Sequence, residues 1–431
     1  MRPETRSAFE KIVLFLALVI ATGAGLGAYV AKQQGGTGSA YDYNGGNHVI
    51  QLIFSSLYLY FFFRLAKRRQ EAWALVKQEK WLAAFWLWAF LSASWSISTS
   101  LTLVHWIALL GTGMVGLYIA MQFEPAEQLD QLAICLGTVA VASLIVGIMM
   151  PSIGVAPGGA WQGVFFPKNS LGRMMALSTL CFLFLTFGRR GKRWILLPMA
   201  ALSAGLLLLS QSATAIVVCA FMLALLPFRK LLALGNRLLI PLIAFFSMFA
   251  VPLVVWVVSN SKTLLDILGR DNSLTGRLPL WAIILEEIAS QPIFGFGYGA
   301  FWNSGEADRI RDTIGWRAPN AHNGFLEVLL GLGLVGGTFF LIGLLRNLVL
   351  AVRAARGAEP EESWPLFFLI FNLLYSLTES SLLTANFILT MLFVANSYSV
   401  VRARVESEQA EDTDMTDDVC AESLSYESLE A

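Results

Sequence analysis

Long apolar runs separated by short polar stretches make up most of the chain. Twelve such runs predict membrane-spanning helices, near residues 11–31, 48–64, 81–95, 101–121, 129–150, 169–187, 194–210, 212–228, 238–259, 322–345, 364–380 and 384–402. A helix needs ~20 mainly apolar residues to cross the hydrocarbon core. No water is present there to satisfy the backbone, so each run must close its hydrogen bonds internally, as a helix does. The third, seventh and eleventh runs are short. The first lacks a small-residue cleavage site after Val30, which predicts a retained span rather than a removed signal peptide.

Composition agrees with this pattern. Of 431 residues, 56% are hydrophobic and 14% are charged, against ~25% charged in soluble domains. Net charge is zero, so overall charge names no partner, and nothing points to nucleic acid. Its distribution is more informative. With the N-terminus inside, the inner connections hold 21 of the 30 Lys and Arg residues, which predicts cytoplasmic N- and C-termini. Ten of the 30 acidic residues follow Arg404, so 405–431 reads as a disordered acidic cytoplasmic tail. Cys135, Cys181 and Cys219 lie in apolar runs without metal-site spacing, and predict small packing groups.

The predicted organisation is therefore nine spans over 1–258, a large periplasmic loop over 259–321, three spans over 322–404, and the tail. A connection as long as that loop is usually functional or disordered. Leu280, Ile284 and Ile288 recur at helical spacing with Glu286 and Glu287 turned away, predicting an amphipathic helix ended by Pro292. Gly295, Gly297 and Gly299 then alternate with Phe294, Phe296 and Tyr298, followed by Phe301 and Trp302. Two readings stand for that stretch: an interfacial aromatic belt, or a platform for substrate.

Charged candidates cluster around the loop. Arg277 precedes the amphipathic helix; its guanidinium fork matches phosphate oxygens, or it pairs with Asp271 or Glu286. His322 opens the tenth run and can take a proton near neutrality, or simply cap the helix. Asn323 and Glu327 share a helix face beside it, and a carboxylate at that depth needs a partner. Lys168, Asn169 and Arg173 stand where the sixth run begins; snorkelling is the plain alternative for them. Arg309, Arg311 and Arg317 alternate with acids, as on a solvated face. His48 and His105 fit hydrogen bonds between helices, and Asn372, Glu379 and Asn386 give the last two spans some polar content.

Five stretches occur in a set order: GVFFPKNSLGRMMALS at 163–178, LLLSQSATA at 207–215, TGRLPLW at 275–281, QPIFGFGYGAFW at 291–302 and AHNGFLEVLLGLGLVGG at 321–337. In these the chain resembles the O-antigen ligase and O-antigen polymerase superfamily of bacterial envelope glycosyltransferases, especially its exopolysaccharide-polymerase branch. The resemblance implies a GT-C-like all-α polytopic fold of about twelve transmembrane helices in the bacterial inner membrane, with a periplasmic active site. It implies a glycan donor carried on undecaprenyl diphosphate, and an acceptor that is a lipid-linked repeat unit or lipid A core. Chain-length regulators, export proteins and membrane lipid are the further partners it suggests; no cofactor and no metal are expected. It places His322 and Arg277 in the catalytic role, with Lys168, Asn169, Arg173 and Asn323 around the substrate. The residue reading adds Glu327, Tyr298, Trp302 and Arg317, the last without ranking it above Arg309 or Arg311. Two other classes fit a polytopic chain: a flippase for the same lipid-linked unit, and a structural assembly partner. Transporters tend to show internal repeats and mid-membrane charges; here no repeat is visible and the charges gather at the outer rim.

Overall fold

A computed structural model describes residues 8–25, 48–229, 277–357 and 359–430. The ninth predicted span, residues 259–276 of the loop and Asp271 lie outside them. The described fold is helical, apart from one antiparallel bridge between Val155 and Trp161. The main helices are α1 (Ala8–Ala21), α2 (His48–Lys67), α3 (Arg69–Gln78), α4 (Lys80–Leu91), α5 (Thr99–Gln122), α6 (Pro125–Met149) and α7 (Lys168–Gly188). They continue as α8 (Arg193–Leu209), α9 (Ala213–Leu225), α10 (Arg277–Ser290), α11 (Gly305–Ile314), α12 (Gly324–Ala354), α13 (Trp364–Ser376) and α14 (Ile388–Glu430).

Among the described residues, α2, α5, α6, α7 and α12 are long and apolar enough to cross a membrane. Local signals set several ends. Pro125 opens α6 behind a capping box of Glu124 and Glu127, and Asn323 caps α12 by accepting from Phe325 N and Leu326 N. Helix α7 is buried on nearly all sides and packs against α6, α8 and α9. Helix α5 packs against α2 and α14 through its small residues. A Cβ at Gly111, Gly113 or Gly116 would collide with Tyr58, Trp86 or Val394 respectively, so these glycines set how closely the helices approach. Leu52, Leu59, Phe62 and Phe63 of α2 face outward, as a lipid-facing surface does.

Some predicted boundaries shift. The third run is a twelve-residue helix followed by a 3-10 turn at Ser92–Ser94. At 1.5 Å per residue, such a helix covers roughly 18 Å, short of a ~30 Å core. The eleventh helix ends at Ser376 rather than 380, and 377–387 is non-helical, with Leu383 and Asn386 at positive φ. Helix α14 runs on to Glu430, so the backbone of the acidic extension is helical where its composition predicts disorder. Ion pairs one turn apart, Arg402 with Glu406 and Arg404 with Glu408, support the start of that extension.

The loop folds as a cap with its own small core. Leu280 and Ile284 of α10 pack with Phe296, Phe301, Trp302, Ile310 and Leu330. The amphipathic helix is present, ending at Ser290 before Pro292. What joins cap to bundle is a break in α12 at Gly333 (φ 63°, ψ −166°). The glycine-aromatic stretch inserts there. Phe296 N donates to Leu330 O and Gly297 N to Gly331 O, both at 2.9 Å, while Leu334 N donates to Pro292 O at 2.8 Å. A Cβ on Gly333 would lie 2.2 Å from Ile293 O, and one on Gly295 2.6 Å from Gly333 N. The glycines thus allow backbone to lie on backbone.

Candidate functional site at the cap

Arg277 is the first residue of α10, and His322 lies just before the Asn323 cap of α12. Both reach Glu379 in the non-helical segment after α13. Arg277 Nη2 donates to Glu379 Oε1 at 2.9 Å, and Nη1 to Thr378 O at 2.6 Å. His322 Nδ1 lies 3.3 Å from Glu379 Oε2. One carboxylate therefore joins two groups from separate parts of the chain. Arg277 is in an ion pair, but not with Glu286, which is exposed on α10; Asp271 lies outside the described residues.

Glu379 is 5% exposed, whereas Arg277 and His322 keep 14% and 15%. Burial pushes the Glu379 carboxyl up. The hydrogen bond from His322 and the charge of Arg277, with a smaller contribution from Arg173, outweigh burial and hold it down at about 2. The group is thus an anion at neutral pH. His322 adopts a positive φ of 48°, fixed by its own N donating to Asn320 Oδ1 at 2.9 Å, and its ring lies 5.7 Å from that of Trp316. Strain of this kind in a non-glycine residue is held only where its surroundings over-determine it.

Glu327 is the second hub. Its carboxylate accepts from Trp302 Nε1 at 2.7 Å, Ala321 N at 2.9 Å and Ser380 Oγ at 3.4 Å. This supplies the partner that its depth requires, and ties the residue before His322 to the one after Glu379. Tyr298 OH donates to Leu383 O at 2.6 Å, and Tyr298 N to Ser92 Oγ at 3.1 Å.

Beside this wall opens a cavity of about 190 Å³. Its polar lining includes Arg173, Asn303, Asn320, Arg311, Glu327 and Ser380; Tyr298, Phe301, Trp302, Phe54, Phe85 and Phe387 supply aromatic walls. Arg277, His322 and Glu379 do not line it, but the nearby chain positions Asn320 and Ser380 do. Arg173, 3% exposed, lies in the cavity with its guanidinium 4.4 Å from the Phe387 ring centroid.

The other expected residues divide. Lys168 and Asn169 form the first turn of α7, next to the cavity-lining Phe166 and Ser170; Asn169 O accepts from Tyr375 OH at 3.5 Å. Asn323 caps α12 and donates to Leu377 O at 3.2 Å, a framework role. Arg317 is exposed and does not line the cavity; Arg311 does, donating to Trp302 O at 2.7 Å and Ala318 O at 3.1 Å. Arg309 pairs with Glu287 at the surface. In the glycine-aromatic stretch, Phe294 stacks on Trp88 at 5.7 Å, while Tyr298, Phe301 and Trp302 line the cavity. Sequence reasoning left Arg311 unranked among three arginines and gave no site role to Glu379 or to the cavity-lining His105, whose Nδ1 lies 2.8 Å from Leu101 O.

Fold and site together define a helical membrane protein with a capped, arginine- and histidine-bearing pocket. Residues 198–341 match the family described as O-antigen ligase, a stretch that contains Arg277, His322 and Glu327. The chain is similar to that family over about a third of its length. It is 30% identical over 274 residues to the exopolysaccharide production protein ExoQ of Rhizobium meliloti (strain 1021), covering 59% of this chain and 61% of that protein.

Proposed function

We propose that the chain is a membrane glycosyltransferase that polymerises repeat units of an exopolysaccharide or O-antigen. The donor is an oligosaccharide on undecaprenyl diphosphate, met at the periplasmic face of the bacterial inner membrane. The twelve spans read from the sequence, with Lys and Arg concentrated on the side of both termini, support a cap on that face. One observation carries the reading: Arg277 and His322 converge on Glu379 beside a cavity that holds Arg173. Cations suited to a diphosphate and a group suited to a proton thus meet at one place.

The acceptor hydroxyl attacks the anomeric carbon, forming the new C–O bond. The bond from that carbon to the diphosphate oxygen breaks, and its electron pair leaves with the diphosphate. His322 takes the hydroxyl proton. Arg277, with Arg173 and Lys168, stabilises the charge that develops on the leaving group; such preorganised charge is usually a large part of catalysis. The aromatic and apolar walls suit the first sugar and the start of the lipid. A ligase reading keeps the same donor and chemistry but passes the glycan to lipid A core, and the O-antigen ligase family match favours keeping it.

The test is the purified full chain in lipid vesicles, given undecaprenyl-diphosphate-linked oligosaccharide alone or with lipid A core. A ladder of longer lipid-linked glycans without core supports polymerisation. Glycan found only on core supports ligation. Movement of the donor across the bilayer without transfer would return the protein to the transporter class.

A further inference from the structure

Glu379 sits in a predicted span but emerges as a hub. It is almost wholly buried, and each of its carboxylate oxygens faces a different group of the candidate site. Its Oε1 accepts from Arg277, and its Oε2 lies 3.3 Å from His322 Nδ1. An ionised carboxylate can only accept hydrogen bonds. The imidazole nitrogen facing it must therefore be the one that carries a proton. In a neutral ring the other nitrogen, Nε2, is then unprotonated and is the atom able to take a proton.

We infer that Glu379 is a positioning residue, which fixes His322 in the Nδ1-protonated tautomer and aims Nε2 at the acceptor hydroxyl. The inference rests on the transfer reading of His322 given above. The surroundings keep the arrangement from relaxing. The backbone beside Glu379 is pinned by Arg277 through Thr378 O, and Ser380 is pinned through Glu327. His322 is pinned in turn by Asn320 through its own N–H. During transfer the acceptor hydroxyl proton passes to Nε2 while Nδ1 keeps its own. The new C–O bond forms as the bond to the diphosphate breaks with its electron pair. The Glu379 carboxylate, still an anion, then faces the imidazolium.

A carboxylate that only held the fold together would not distinguish tautomers, so two measurements separate the roles. The first uses the unaltered chain, labelled with nitrogen-15 histidine, in lipid bilayers at neutral pH. The His322 resonances, assigned by their loss in His322→Ala, are expected to show Nδ1 protonated and Nε2 bare. An Nε2-protonated ring overturns the inference.

The second is kinetic. In Glu379→Gln the amide can donate to Nδ1 and so favours the wrong tautomer. Turnover at saturating donor is expected to fall at least tenfold, in line with the ~10²–10⁴-fold worth of a positioned acid–base group. KM for the donor is not expected to rise, because the change removes a negative charge from an anion site. Glu379→Asp keeps the charge and is expected to turn over faster than Glu379→Gln. Wild-type turnover in Glu379→Gln overturns the inference, as does a raised KM with equal loss in both variants. If His322→Ala keeps full turnover, the transfer reading itself fails. If His322→Ala is inactive and Glu379→Gln is not impaired, only the role given to Glu379 fails.

Discussion

The bundle carries arginine–carboxylate pairs at both ends, and the two sets are built differently. At the end away from the cap, the pairs link neighbouring helices through arginine and carboxylate groups alone. Arg346 of α12 meets Glu79 between α3 and α4; Arg189 after α7 meets Asp130 of α6; Arg402 of α14 meets Glu124 before α6. At the cap, Arg277 shares its carboxylate with a histidine on non-helical backbone, next to an open cavity. An ion pair alone therefore says little about function. A buried pair between helices fixes their register, and its net contribution to stability is often small. The second titratable partner and the adjoining space are what turn the same chemistry into a candidate site.

The largest expected effect separates the ends by chemistry. His322→Ala should lower glycan transfer by about 10²–10⁴-fold, the usual worth of a positioned acid–base group. Its thermal midpoint in detergent should stay close to that of the unaltered protein. Arg346→Ala should do the reverse. It leaves the fully buried Glu79 without its arginine, which costs on the order of 3 kcal/mol, the lower bound for breaking a buried pair. Thermal unfolding should show that loss, and transfer per folded molecule should survive. Equal effects of both changes on stability and on turnover would erase the distinction.

The smallest effect tests the cap itself. Arg317 is exposed beyond the end of α11, so Arg317→Ala should change stability by less than about 0.5 kcal/mol and leave turnover intact. A large loss of transfer, measured as product per folded protein, would put Arg317 back at the substrate.

Why Arg317 looked eligible shows where reading the sequence stops. Alternating charges over 306–317 suggested a solvated face, and nothing local ranked the three arginines. Helix α11 and its end at Gly315, φ 75°, do the ranking: Arg311 turns back over the cavity while the chain leaves with Arg317. Glu379 was hidden for a related reason. It closes an apolar run that reads as membrane, and its partners stand about a hundred positions and about sixty positions earlier. No spacing rule connects such distances. The argument that exposed Glu327 as needing a partner, a carboxylate placed against hydrocarbon, applied equally to Glu379.

Other features were legible because their cause is local. Arg277, His322 and the amphipathic stretch of α10 could be picked out from charge type and helical period, and the longer spans from ~20-residue apolar runs. The break at Gly333 was not, since the GLGLVGG run offers several glycines for one bend. Its position follows from the loop that fills it, and that loop lies earlier in the chain.

The most direct test is to give the protein, in vesicles, a lipid-linked oligosaccharide with a photoreactive group beside its diphosphate, and to map where the label attaches. Attachment at 277, 322 or 377–387, reduced by excess unlabelled donor, is the expected result. Label confined to the far end around Glu79 and Arg346, with the cap untouched, would contradict the account.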